Sequence, residues 1–225
     1  MIIITGASRG LGLSIANRLT SLGEKVIGLS KNIGQMEFET IRCDVSSFQE
    51  MKAVSRTLKK RNETIEAVIN AAGIASMNMA LTTDSKTVQN LIQTNLVGTI
   101  NICQTICPLM IRKKNGIIIN FSTIAVPLSL KGESIYVATK AGVEAFTKCF
   151  AKEVSEFNIR VNCIAPGPIK TDLIRGLSEK QLSNVISRQI IQKYFNKSDV
   201  CDLVEILLSE KMSSITGQVL NVGGV

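Results

Sequence analysis

Short β-branched runs, each followed by a stretch long enough for a helix, constrain this chain more than any other feature. Ile2 to Thr5, Lys25 to Leu29, Thr40 to Cys43, Ala67 to Asn70, Gly116 to Phe121, Arg160 to Ile164 and Gln218 to Val222 read as strands. Between them Leu11 to Leu22, Gln49 to Arg61, Lys86 to Lys113, Ile135 to Phe157 and Asp199 to Lys211 carry helical apolar spacing, with Asp199 expected as an N-cap. Strands apolar on both faces need helices above and below. The order therefore predicts an α/β fold, a Rossmann-type doubly wound parallel sheet of about seven strands with helices on both faces. With 225 residues and no internal repeat, residues 1–225 are expected to form a single domain. The polar, weakly patterned stretch Thr171 to Lys197 reads as a mobile helical flap over a site.

Composition excludes several functions. The charge of +8 admits nucleic acid, a membrane surface or an anionic small molecule as partner. Only 4% of residues are aromatic and none is Trp, which counts against stacking on nucleic-acid bases. No run approaches the roughly 18 apolar residues of a membrane span. The opening MIIITGAS lacks the basic region of a signal peptide, so a cytoplasmic protein is expected. Cys43, Cys103, Cys107, Cys149, Cys163 and Cys201 form no CxxC pair and sit mostly in apolar stretches, as reduced thiols would. There is no histidine. That removes the commonest metal ligand and the usual Ser-His and Cys-His couples, so no metal is expected and acid–base chemistry falls to Tyr, Lys, Asp or Glu.

Thr5-Gly6-Ala7-Ser8-Arg9-Gly10-Leu11-Gly12 follows the first strand and opens the first helix. Glycines in that context let backbone approach a pyrophosphate, whose charge then meets the positive helix end. An acidic residue at the end of the second strand would bind the ribose hydroxyls of NAD, but Ser30-Lys31 stands there. With no carboxylate to repel a 2′-phosphate, and Arg9 as a second cation, the expected cofactor is NADP(H). The alternative is that Arg9 and Lys31 are solvated surface charges.

Tyr136 and Lys140 are four apart at the start of an expected helix and share a face. An ammonium beside a phenol favours the phenolate and would lower its pKa, making Tyr136 a usable acid. At this point the chain resembles the short-chain dehydrogenase/reductase family over essentially its whole length. TGASRGLG resembles that family's cofactor turn, and Asp44-Val45 after the third strand resembles the segment that bonds adenine. Asn70-Ala71-Ala72-Gly73 resembles the stretch supporting the sheet beside the cofactor. Asn95 matches the helix asparagine that holds a water in the proton relay. Pro166-Gly167-Pro168-Ile169-Lys170-Thr171 resembles the loop whose Ile169 backbone and Thr171 hydroxyl contact the carboxamide.

One position departs from the pattern. Thirteen residues before Tyr136, where the family carries its catalytic serine, stands Thr123, preceded by Ser122. Thr123 offers the same hydroxyl and is given the role; strand alternation would turn Ser122 away, though the strand could already have ended there. The resemblance implies reduction of a ketone, with Tyr136 as acid, Thr123 stabilising the oxygen, and Lys140 and Asn95 in the relay. It is greatest to 3-oxoacyl-acyl-carrier-protein reductases, through Ser198-Asp199-Val200 and Ile215 to Val222, with Lys114 and Arg175 at basic positions that dock an acidic carrier. Both could equally be solvated charges. Val222 stands before Gly223-Gly224 where that tail usually has an acidic residue. Oxidoreductases of sugars or small polyols, and a silent NADP-binding sensor or scaffold, are the other classes kept open. The resemblance also implies a homodimer or homotetramer through the long helices around Asn95 and Tyr136.

Overall fold

The structure, a computed structural model, describes residues 1–169 and 179–225. Among these, the apolar runs become strands of one parallel sheet: β1 (Ile2–Thr5), β2 (Val26–Ser30), β3 (Glu39–Arg42), β4 (Ala67–Asn70), β5 (Gly116–Phe121), β6 (Ile159–Pro166) and β7 (Val219–Val222). Their order is β3-β2-β1-β4-β5-β6-β7. The direction of winding reverses between β1 and β4, so the carboxyl ends of those strands part there and open a crevice.

Side chains alternate between two cores, one on each face. Ile3, Val68, Ile118 and Val161 pack with Met51, Val54 and Leu58 of α2 (Phe48–Arg61) and with Ile102, Ile106 and Met110 of α4 (Gly98–Ile111). Ile2, Ile4, Ile69, Ile119 and Ile164 pack on the other face, with Ile15 and Leu19 of α1 (Gly10–Ser21) and Val200, Val204 and Leu207 of α8 (Lys197–Leu208). Burial on both faces is why these strands read as continuous apolar runs. The remaining helices are α3 (Ser85–Leu91), α5 (Ala125–Leu128), α6 (Ser134–Val154) and α7 (Glu179–Ser187).

Three local expectations are corrected. The helix expected from Lys86 to Lys113 is interrupted by a π-helical stretch at Ile92–Val97, which contains Asn95; side-chain periodicity does not register one extra residue per turn. Asp199 is not the N-cap of α8. Asn196 is, and Asp199 lies in the first turn, its carboxylate accepting from the Asn196 N–H at 2.5 Å. α5 is absent from the sequence reading because four residues carry no period. The run Ser85–Ile111 is long and apolar enough to cross a bilayer by length and composition, but its apolar side is core. Helix α7 lies within the expected flap, whose first part, with Thr171 and Arg175, falls outside the described residues.

Candidate active site

The crevice at the carboxyl ends of β1 and β4 is a cleft of about 980 Å³ that runs from the end of β2 to α7. Glycine shapes its floor. Gly6 has φ +67°, and a Cβ there would stand 2.8 Å from Ala72 Cα, while one on Gly12 would stand 2.5 Å from the Gly6 carbonyl oxygen. Backbone from three segments is thereby brought to one point, a concavity that any side chain would fill. Thr5 Oγ1 accepts from the Ala72 N–H at 3.0 Å and ties the end of β1 to the segment after β4. At the N-terminus of α1 the cap is Arg9, in extended conformation, and its side chain caps nothing. The first-turn N–H groups therefore face the cleft with the positive end of the helix behind them, which suits a phosphate.

At one end of the cleft Ser30 Oγ donates to Ser8 Oγ at 2.7 Å, and Lys31 Nζ lies 2.7 Å from Asp44 Oδ2. This pair corrects the expectation that no carboxylate stands near Lys31. Parallel pairing of β2 with β3 matches Ser30 to Arg42, so the chains leaving the two strands carry Lys31 and Asp44 side by side. Burial pushes the Asp44 carboxyl up, but bonds from Lys31 and from Ser46 outweigh it and hold the group below its usual range. Arg9 is exposed on the cleft rim, with no ion pair among the described residues. Val45 lines the wall and its carbonyl accepts from Asn101 Nδ2 at 2.9 Å.

At the other end, β5 and α6 bring Thr123, Tyr136 and Lys140 to one wall. The chain turns out of β5 so that Thr123 lies against the Tyr136 phenol, whereas Ser122, which also lines the cleft, has its Oγ engaged in donating to Glu144 Oε1 at 2.5 Å. Lys140 is buried, and its Nζ donates to the Phe121 carbonyl at 2.9 Å. Gly73 lies between Lys140 and Asn95: a Cβ there would be 3.5 Å from Lys140 Nζ and 3.4 Å from Asn95 Oδ1. Asn95 itself is wholly buried behind that wall. Its amide is locked to the Ile74 backbone, accepting at 2.8 Å and donating at 2.9 Å, and donates to Thr139 Oγ1 at 3.1 Å. Asn70 is likewise a buried strut, donating to Asn120 Oδ1 at 2.8 Å.

The electrostatics differ from the sequence expectation. Burial pushes the Tyr136 phenol well above its ordinary value, the Glu133 carboxylate adds to this, and Thr123 opposes it. Burial lowers Lys140 to about 8. Lys140 does not pull the phenol down in the chain as it stands; desolvation acts on each group separately and favours the neutral form of both.

Gly6, Ser8, Arg9, Gly10, Leu11, Gly12, Ser30, Lys31, Val45, Ala71, Ala72, Gly73, Thr123, Tyr136, Lys140, Pro166, Gly167 and Ile169 all line this cleft; Asp44, Asn70 and Asn95 stand behind it. Lys114 is elsewhere, with φ +50° two residues before β5 and so at the far end of that strand from Thr123. Sequence reasoning missed Glu133, which is buried on the cleft wall three residues before Tyr136. Its spacing to Tyr136 was a signal, but nothing in the sequence marks a glutamate as buried. It also missed Gln189, whose Oε1 is buried without a partner among the described residues, 2.2 Å from where a Gly167 Cβ would lie.

Comparison with known proteins gives a consistent result. The family model described as short chain dehydrogenase matches residues 1–182. The 3-oxoacyl-(acyl-carrier-protein) reductase FabG of Staphylococcus epidermidis is 32% identical over 236 residues, covering 99% of this chain and 96% of that one. Carbonyl reductase family member 4 of Xenopus laevis is 34% identical over 229 residues, covering 98% and 95%. Among solved structures, the aldohexose dehydrogenase of Thermoplasma acidophilum superposes with a TM-score of 0.89 at 31% identity, covering 99% of this chain and 92% of that one.

Proposed function

The chain belongs to the short-chain dehydrogenase family, and on that premise we propose that it is an NADP(H)-dependent oxidoreductase reducing a ketone to a secondary alcohol. The observation that carries this reading is the meeting of Thr123, Tyr136 and Lys140 in the cleft that the glycine turn floors. The close approach at Gly6 and Gly12 and the free first turn of α1 fit a pyrophosphate, so residues 6–12 would hold the dinucleotide there. Ser8, Ser30, Lys31 and Arg9 would take its adenosine phosphate, and Lys140 and the Pro166 to Ile169 segment its nicotinamide end. Thr171 belongs to that set by resemblance.

When bound, the nicotinamide supplies a hydride to the carbonyl carbon. Tyr136 Oη gives its proton to the oxygen as the C–O double bond becomes single, and Thr123 Oγ1 donates a hydrogen bond to the same oxygen. A phenol held protonated by burial is in the form that step requires. Lys140 and the buried Asn95 position Tyr136 and replace its proton.

The first substrate class is a 3-oxoacyl thioester, on the identity to the staphylococcal reductase; docking of an acidic carrier would use Lys114 and Arg175, and because Lys114 lies at the far end of β5 it would need a second copy to face the same acyl chain. A hydroxylated carbonyl is the second class, on the 31% identity to an aldohexose dehydrogenase. We further read residues 1–225 as one cytoplasmic domain, assembled as a homodimer or homotetramer.

NADPH absorbance is followed with S-acetoacetyl-N-acetylcysteamine, a ketose series and small diketones. Turnover by at least one, abolished in Tyr136→Phe with NADPH binding retained, is expected. Tight NADPH binding with no turnover of any would replace the reductase with a silent sensor or scaffold, and tighter binding of NADH would overturn the cofactor assignment.

A further inference from the structure

Among the described residues, Glu133 is the carboxylate on the catalytic wall that no protein contact accounts for. It is 6% exposed and lines the cleft beside Tyr136, whose phenol feels its charge. Among the described residues no hydrogen bond or ion pair reaches its carboxyl. It occupies the N-cap of α6, where a carboxylate could satisfy the first-turn N–H groups, yet its side chain makes no cap bond. Its carboxylate oxygens open on the cleft and meet no donor among the described residues, so a donor carried by a ligand can reach them.

The chemistry of that group follows from the site. A carboxylate is an acceptor only, with about four lone-pair positions, so it binds donors. The same cleft is lined by the apolar cluster of Ile124, Leu130 and Val185, which offers none. An acyl chain laid against this wall would bury Glu133 unsatisfied, and an anionic substituent would be repelled. Of the donors a ligand can carry, hydroxyl groups are those that the second substrate class supplies, taken from the 31% identical aldohexose dehydrogenase.

We propose that Glu133 is a specificity-determining residue that accepts hydrogen bonds from hydroxyl groups on carbons adjoining the reacting carbonyl, so that this cleft selects small polyhydroxylated ketones over bare acyl chains. The inference rests on the reductase reading of the same site and decides between its two substrate classes. A site built to satisfy a substrate hydroxyl discriminates strongly against the analogue that lacks it, because the protein group is then left unpaired.

The test compares dihydroxyacetone with pentan-3-one, in which each hydroxyl is replaced by methyl, using NADPH and the wild-type, Glu133→Gln and Glu133→Leu chains. The wild type should prefer dihydroxyacetone in kcat/KM by about 10- to 100-fold. Glu133→Leu should lose that preference and Glu133→Gln part of it, with the loss carried mainly by KM; Gln matches Glu in shape and guards against a folding defect in Leu. A wild-type preference for pentan-3-one, an unchanged preference in Glu133→Leu, or a preference for aminoacetone over dihydroxyacetone would overturn the proposal. If none of these ketones consumes NADPH, the reductase reading fails for them, and calorimetry with glycerol against pentan-3-ol decides Glu133 alone. Glycerol binding lost in Glu133→Leu supports it, and its absence from the wild type overturns it.

Discussion

Replacing Lys140 with Met isolates the cost of burying a cation at the centre of the site. Lys140 is 5% exposed and, among the described residues, its Nζ has one acceptor, the Phe121 carbonyl at 2.9 Å. Burial lowers its pKa from 10.5 to about 8, which at about 1.4 kcal/mol per tenfold amounts to about 3 kcal/mol against the charged form in the folded state. The folded chain thus releases this proton before the unfolded chain does. Below about pH 8 both states are charged and the penalty is complete; between about pH 8 and 10.5 the unfolded state binds more protons and stability rises with pH. From about pH 7 to about pH 9.5 the wild type should gain about 2 kcal/mol of unfolding free energy relative to Lys140→Met, which has no such group. Urea unfolding of both chains without cofactor, at constant ionic strength, measures the difference directly, since effects of other titrating groups cancel. Parallel stabilities within about 0.5 kcal/mol would refute the reasoning, because they would mean that the ammonium stays solvated or paired in the fold.

Three other outcomes follow from the geometry. Thr123→Val should lower kcat by about 10²- to 10³-fold, as loss of a donor to a developing oxyanion does, while Ser122→Ala should keep turnover within a few-fold and instead lose about 1–2 kcal/mol of stability from the unpaired Glu144; steady-state kinetics beside urea unfolding would expose the reverse pattern. Arg9→Ala should weaken NADPH by about 10-fold and NADH little, with a smaller effect of Lys31→Ala because Asp44 already engages that ammonium; equal loss of both cofactors in a fluorescence titration would remove Arg9 from the phosphate. Burial raises the Glu133 carboxyl, so the folded state favours its neutral form, and its penalty is complete above the raised folded pKa and relieved as pH falls towards the ordinary 4.5. Glu133→Gln should therefore have the higher Tm at neutral pH and lose that advantage near pH 4, whereas a lower Tm at pH 7 would indicate a structural carboxylate.

The sheet was legible because burial on both faces writes itself as unbroken apolar runs. Ile2–Thr5, Ala67–Asn70 and Gly116–Phe121 have the same ends in sequence and structure, and the other strands differ by one or two residues at an end. The glycine turn was legible for a related reason, since contacts of 2.5–2.8 Å at Gly6 and Gly12 leave no other residue possible. What failed to register depends on partners distant in sequence. Lys31 looked free because Asp44 meets it only once β3 is laid beside β2. The π-helical stretch at Asn95 comes with tertiary bonds from its amide to Ile74, which no period of side chains records. Glu133 looked like any polar residue before a helix until the wall closed round it.

These features share one physical cause, which bears on how the site works. Tyr136, Lys140 and Glu133 are each about 95% buried within about two helical turns of one another, and burial moves all three towards their neutral forms. A site made this way holds its acid as a phenol at every pH near neutrality, which suits giving a proton to a carbonyl oxygen. Taking a proton from an alcohol needs the phenolate, and desolvation together with the charge of Glu133 opposes it. Only a positive charge brought close to Tyr136, or a partner that neutralises Glu133, can lower that barrier. A hydroxyl donor on Glu133 leaves its charge in place and favours the carboxylate over the neutral acid, so a hydroxylated ligand maintains that opposition and with it the phenol form of Tyr136.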